Sequence, residues 1–293
     1  MLRRWPAIAL GLLACAWGAL PARAAEPTYL LWSVAGTRNT VYLLGSVHLL
    51  GRDEFVWSSG IEQAYHDAES LVFEIDLDDL DPTEMQRLTL ELGQLPAGRS
   101  LRDVLGADLY QALAQHAGEV GIELATLQRF RPWLAALAIV HAQLNALGMS
   151  QEAGVEQRFL DRALADRKPV LGLETPAEGL QALASLSSDR QREFVAYTLA
   201  EADSMATELE AMVQAWQQGD TAALAALLER GFDAFPDLYG PLTVTRNLRW
   251  VDVLDDLLER DDDYLVVVGA LHLVGDDSLI DLLHARGFAI TRH

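Results

Sequence analysis

The 293-residue chain has one cysteine, Cys15, and one lysine, Lys168. Cys15 lies in a segment read below as a leader. Without it no thiol remains for a disulfide, an iron–sulfur cluster, a thiolate zinc site or a cysteine nucleophile. Lys168 is followed by Pro169, so no Walker A loop exists, and Schiff-base chemistry would rest on this residue alone. GxGxxG, GxSxG and HExxH are absent as well. Positive charge is scarce: 22 Lys+Arg stand against 43 Asp+Glu. Arg3, Arg4 and Arg23 are the only charged residues in the first 24, leaving 19 basic against 43 acidic residues beyond them, a formal charge of −24. That balance argues against nucleic-acid binding and against docking on an anionic membrane. Hydrophobic residues make up 51%, enough for a sizeable core and too many for a disordered chain.

The N-terminus reads as an address. Arg3-Arg4 forms a basic n-region, Ala7–Leu20 is a short apolar stretch, and Pro21 breaks it before Ala22-Arg23-Ala24. This predicts a signal peptide over 1–24, cleaved after Ala24, and a mature chain over 25–293 that is periplasmic or secreted. The stretch is shorter than the roughly 18 to 20 apolar residues that span a bilayer, which disfavours an uncleaved anchor. A lipoprotein signal ending at Cys15 is the other alternative, since Leu12-Leu13-Ala14-Cys15 loosely fits a lipobox. No later run is long enough to span a membrane.

Along the rest of the chain, strands are predicted over 28–34, 40–46, 70–75, 168–173, 264–268 and 288–291. The first two are joined by Gly36-Thr37-Arg38-Asn39 as a hairpin. Helices are predicted over 132–147, 155–166, most of 176–218, 221–228, 242–260 and 278–285. Further starts are marked by Asp81-Pro82-Thr83-Glu84, by Ser100 with Asp103 and by Ser188 with Gln191. Strands cluster at both ends and helices fill the middle. The expected fold is α/β: a single domain with a central mixed sheet built from N- and C-terminal strands and a large helical insertion.

One repeat stands out. Val41-Tyr-Leu-Leu-Gly45-Ser-Val-His48-Leu-Leu-Gly51 matches Val266-Val-Val-Gly269-Ala-Leu-His272-Leu-Val-Gly275. Both read as a buried strand followed by Gly-x-x-His-Leu-x-Gly. Copies side by side in one sheet would put His48 and His272 at strand ends, where open α/β sheets bind ligands. The glycine three residues ahead of each histidine is expected to let the chain turn sharply off the strand. The pair suits two metal ligands or an acid/base couple; two histidines that cap strand ends is the plainer alternative. Glu74, on a buried strand, needs a cation, a metal or strong donors, or else an arginine partner. Glu174 lies where a strand hands over to a helix and could equally be a cap. Asn247 is a poor interior helix residue, which suggests a fixed hydrogen bond, and Arg246 beside it could pair with nearby acids. His141, on an apolar helix face, reads as a core histidine.

The paired Gly45-Ser-Val-His48 and Gly269-Ala-Leu-His272, with Glu74 between them, resemble the TraB/GumN family, which includes the Tiki proteins. Leu31-Trp32, Pro132-Trp133-Leu134, Lys168-Pro169-Val170, Leu173-Glu174-Thr175, Arg246-Asn247 and His272-Leu-Val-Gly275 carry the resemblance over nearly the whole mature chain. Glu156, in Gly154-Val155-Glu156, stands where the pattern leads one to expect aspartate; Gly179 and Thr245 depart from it as well. The resemblance implies a fold shared with erythromycin-esterase-like and ChaN-like proteins. It also implies metal-dependent proteolysis as in the Tiki branch, with His48, Glu74 and His272 around a divalent ion (zinc, manganese or cobalt). Arg246 and Asn247 are motif positions. The residues suit a mechanism in which Glu174 is a general base and Arg246 steadies an oxyanion. The expected partner is a peptide or small-molecule substrate. The alternative is a non-enzymatic protein of the same fold that binds haem, iron or another ligand, or a catalytically silent envelope partner.

Overall fold

A computed structural model describes residues 26–293. The predicted leader, its cleavage point and Cys15 lie outside the described residues. At the centre is a mixed sheet of β1 (Leu31–Ala35), β2 (Thr40–Ser46), β3 (Ser70–Ile75), β4 (Val170–Glu174), β5 (Tyr264–Gly269) and β6 (Ile290–Arg292), in the order β4-β3-β5-β2-β1-β6. β4, β3, β5 and β2 run parallel, and β1 is antiparallel to both β2 and β6. β5 is buried from Tyr264 to Val268, the continuous apolar run of a strand covered on both faces. The β1–β2 hairpin closes through Gly36 N–H to Asn39 C=O at 2.9 Å, and Asn39 Nδ2 donates to the Leu257 and Asp262 carbonyls at 2.9 and 2.7 Å. That side chain ties the hairpin to the chain entering β5.

The repeated units are parallel neighbours, with Gly45 opposite Val268 and Ser46 opposite Gly269. Neither Gly45 nor Gly269 has a positive φ, so the expected glycine-dependent turn is not what these positions supply. They supply space. A Cβ on Gly45 would lie 2.9 Å from Leu30 Cβ, and one on Gly269 would lie 3.2 Å from Glu74 Oε1.

The helical insertion is split by β4. The first part holds α2 (Pro82–Gly93), α3 (Leu101–Leu105), α4 (Ala107–Glu119), α6 (Pro132–Ala146) and α7 (Val155–Asp166); α1 (Ser59–Asp67) precedes it and the short α5 (Leu124–Leu127) links α4 to α6. The second holds α8 (Pro176–Ala184), α9 (Ser188–Ala200), α10 (Met205–Gln217), α11 (Thr221–Asp233), α12 (Pro236–Tyr239) and α13 (Thr245–Leu258); α14 (Leu279–Ala285) precedes β6. α3, α4, α6 and α9 enclose a second core around Leu101, Leu113, Ala135, Ile139 and Val195. The Ser100–Asp103 capping box forms on α3. Two start signals act differently from the prediction. Asp81 caps α2, but Glu84 pairs with Arg87 instead of closing a box, and Ser187, not Ser188, caps α9. The helix predicted from 242 begins as a π turn over Gly240–Val244 and becomes regular only at Thr245. No described helix is long and apolar enough to cross a membrane.

Candidate active site at the carboxyl edge of the sheet

The parallel strands deliver their chemistry to one edge. His48 follows β2, His272 sits in a 3₁₀ turn after β5 (Ala270–Leu273), Glu74 is near the end of β3 and Glu174 ends β4. α13 brings Arg246 and Asn247 to the same edge. The Nε2 atoms of His48 and His272 each lie 4.0 Å from the same oxygen, Glu74 Oε1. Gly269 N–H also donates to that oxygen, at 2.8 Å. Glu74 Oε2 accepts from Arg246 Nη2 at 2.6 Å.

Arg246 is the hub. Its Nη2 also donates to Glu174 Oε1 at 2.7 Å, its Nε reaches both Glu174 oxygens at 3.0 and 3.2 Å, and its Nη1 lies 3.2 Å from His272 Nε2. Its guanidinium stacks 4.5 Å over the Trp250 ring. Glu174, 2% exposed, additionally takes Arg249 Nη2 at 3.3 Å and Trp250 Nε1 at 3.2 Å. Both of its oxygens are therefore engaged by donors.

Asn247 makes the fixed hydrogen bond that its helix-interior position suggested. Fully buried, it donates from Nδ2 to the Asp277 carbonyl at 2.8 Å, which leaves Oδ1 facing His272 Nδ1 at 2.6 Å. An amide oxygen only accepts, so His272 carries its proton on Nδ1, and its Nε2 lone pair faces the Arg246 Nη1 donor at 3.2 Å. Burial pushes the His272 pKa down to about 4; Glu74 opposes this and Arg246 adds to it. His48 is different. Its side chain is 56% exposed, and its Nδ1 meets Glu156 Oε1 at 2.7 Å. The Glu156 carboxylate pushes the His48 pKa up to about 9 against the effect of burial. Burial works to raise Glu74, but the His272, His48 and Arg246 side chains and the Gly269 N–H outweigh it and hold the carboxyl at about 2.

Two cavities meet at His48, Glu74 and Arg246. One of about 300 Å³ is walled by Leu144, Leu209, Met212, Leu224 and Leu271. The other, about 630 Å³, is walled by Leu77, Met85, Leu137 and Leu180. His141 lines this second cavity and is exposed, correcting its reading as a core histidine: α6 turns that face toward the cleft. Lys168 is spent elsewhere, its ammonium on the Tyr65 and Ala68 carbonyls at the end of α1.

Two imidazoles and a carboxylate are a donor set that divalent zinc, manganese or cobalt accepts. Ligands about 2.0–2.1 Å from one ion in a tetrahedral shell lie about 3.3–3.4 Å apart, so the 4.0 Å spacings to Glu74 are wider than a formed site and the side chains would have to close in around an ion. Among the described residues, no group of three or more His, Cys, Asp or Glu is gathered into a metal-holding cluster.

The site thus brings together His48, Glu74, Glu174, Arg246, Asn247 and His272 and adds Glu156, marked in the sequence only as a departure from aspartate. An α/β chain with paired Gly-x-x-His loops over a buried glutamate and an Arg-Asn helix start defines a class. The profile of the TraB/PrgY/gumN family matches residues 30–292, and the chain belongs to that family. It is 26% identical to uncharacterized protein YbaP of Escherichia coli (strain K12) over 242 residues, 83% of this chain and 87% of that one. An uncharacterized protein of Treponema pallidum is 23% identical over 286 residues, 92% of this chain and 84% of that one. Metalloprotease TIKI2 of Xenopus tropicalis is 34% identical over 100 residues, 33% of this chain and 18% of that one. No solved structure matches.

Proposed function

We propose that this is an exported metal-dependent hydrolase acting on peptides, with one divalent ion held by His48, Glu74 and His272. The observation that carries this reading is the placement of both Nε2 atoms 4.0 Å from one carboxylate oxygen. The partial similarity to Metalloprotease TIKI2 supports hydrolysis, and the apolar walls on both sides of the polar cluster suit a substrate with apolar groups. When bound, such an ion lowers the pKa of a water and polarises a carbonyl. Asn247 keeps His272 in the tautomer a ligand needs. Arg246 orients Glu74 and offers positive charge to a developing oxyanion. Glu174, with both oxygens engaged, holds Arg246 in place, which replaces the general-base role considered for it.

The test is a screen of metal-reconstituted protein on peptides and esters, with His48→Ala and His272→Ala as controls. Metal-dependent cleavage lost in both variants is expected. Full turnover after removal of metal would overturn the reading, and a haem absorption band on titration without turnover would favour the ligand-binding alternative.

A further inference from the structure

The two histidines share a sequence motif but not their support. His272 is 10% exposed, packs against the tilted Trp250 ring at 4.5 Å between centroids, bonds Asn247 and faces Arg246. Losing one of these contacts leaves the others. His48 has a half-exposed ring whose hydrogen-bond-length contact is to Glu156; Glu74 is 4.0 Å away.

Several contacts hold one oxygen of the Glu156 carboxylate in place. The residue sits in the first turn of α7. The preceding chain is fastened to the His48 loop: Leu50 and Ser150 exchange backbone hydrogen bonds at 3.2 and 2.9 Å, and Val155 N–H donates to the Val47 carbonyl at 3.2 Å. Gly154 passes so close that a Cβ there would lie 2.1 Å from the His48 carbonyl oxygen. Ser46 Oγ donates to the same Glu156 Oε1 that receives His48. Oε2 is buried with no hydrogen-bond partner, so the pairing uses a single oxygen.

We infer that Glu156 is the positioning residue for His48: through Oε1 it holds Nδ1–H and turns Nε2 toward Glu74, and its length, one methylene beyond aspartate, supplies the reach from α7. The inference rests on the metal-site reading for its consequence but not for its geometry. Groups that orient a ligating imidazole from behind are commonly worth about 10- to 100-fold in metal affinity. Because one oxygen does the holding, an amide can substitute for the carboxylate, as Asn247 does for His272, whereas a shorter carboxylate cannot.

The experiment has two readouts on wild type, Glu156→Ala, Glu156→Gln and Glu156→Asp, each first shown to be folded by its melt. The first is the downfield Nδ1–H resonance of His48 in metal-free protein. It is expected in wild type and Glu156→Gln and lost in Glu156→Ala and Glu156→Asp. The second is zinc affinity by chelator competition. Glu156→Ala and Glu156→Asp should lose about 10- to 100-fold, Glu156→Gln should stay within a few-fold of wild type, and Glu156→Ala should cost nothing further in a His48→Ala background. Wild-type resonance and affinity in Glu156→Asp, or an equal loss with His48 already removed, would overturn the inference. If wild type binds no zinc, the metal reading fails while the resonance still decides the role of Glu156.

Discussion

The loops that carry His48 and His272 are alike in sequence, adjacent in space and face the same Glu74 oxygen, yet they differ in burial and in the group behind each ring. One histidine is half-exposed and backed by a carboxylate from α7; the other is buried, backed by an amide from α13 and faced by a guanidinium. The repeat encodes a strand, a close backbone approach and a place at the sheet edge. The proton on each ring is set by residues far away in the chain. A pair that looks symmetrical thus contains one imidazole biased toward its charged form and one biased toward its neutral form.

The largest change should come from breaking what both loops lean on. Arg246→Met removes the cation between Glu74 and Glu174 and leaves two buried carboxylates without it. Removing one partner of a buried pair costs about 3–5 kcal/mol. A melt should show a fall of roughly 6 °C or more. A near-native melt would mean the hub is not holding this edge together.

Asn247→Ala breaks only the His272 side. It strands His272 Nδ1 and the Asp277 carbonyl, and a buried polar group left unsatisfied costs about 1–3 kcal/mol. Chemical denaturation measures the loss. In the same variant the His48 Nδ1–H resonance should remain unchanged; its disappearance would mean that the two loops are coupled.

Metal binding should itself expose the difference. At pH 7 His48, with a pKa near 9, must release a proton to become a ligand, and His272, with a pKa near 4, has none to give. Calorimetric zinc titrations in buffers of different ionisation enthalpy should therefore report close to one proton released from the pair. Release of none would contradict the assignment of charge to His48.

The smallest effects lie in the pH dependence of stability. His48 binds its proton more tightly folded than unfolded, so its contribution is complete below about pH 6.5 and is lost as pH rises through about 9. His272 does the reverse. The unfolded chain takes up a proton below about pH 6.5 that the folded protein refuses until about 4, so stability falls across that window. Glu74 stabilises above about pH 4.5 and loses its contribution as pH falls toward 2. Urea midpoints across pH should show His48→Ala flattening the alkaline limb and sparing the acid one. The change is small because a half-exposed group is screened by solvent.

The sequence made the strands and their adjacency legible because buried apolar runs and a repeated motif are local signals. β5 and the hairpin are examples. The short strand predicted over 168–173 is β4, shifted to Val170–Glu174, and it divides the helical block. The sequence did not show the π turn ahead of Arg246. At the site, His48, Glu74, His272 and the Arg246-Asn247 pair were visible as residue types in telling places. Their partners were not. Glu156 looks like an ordinary first-turn acid of α7, and the pairing of Leu50 with Ser150 and of Val155 with Val47 brings it beside His48. Glu174 was visible as a strand-end carboxylate, but its engagement by Arg246, Arg249 and Trp250 depends on how α13 crosses the sheet.

The central claim is that the paired loops form one site for one ion. Zinc titration of wild type, His48→Ala, His272→Ala and the double variant, each with a thermal melt, tests it most directly. Residues that act as one unit are strongly non-additive. One equivalent bound by wild type, weak binding in either single variant and little further loss in the double variant is the expected result. Unchanged metal content with losses of stability that simply add would show two separate structural histidines and contradict the account.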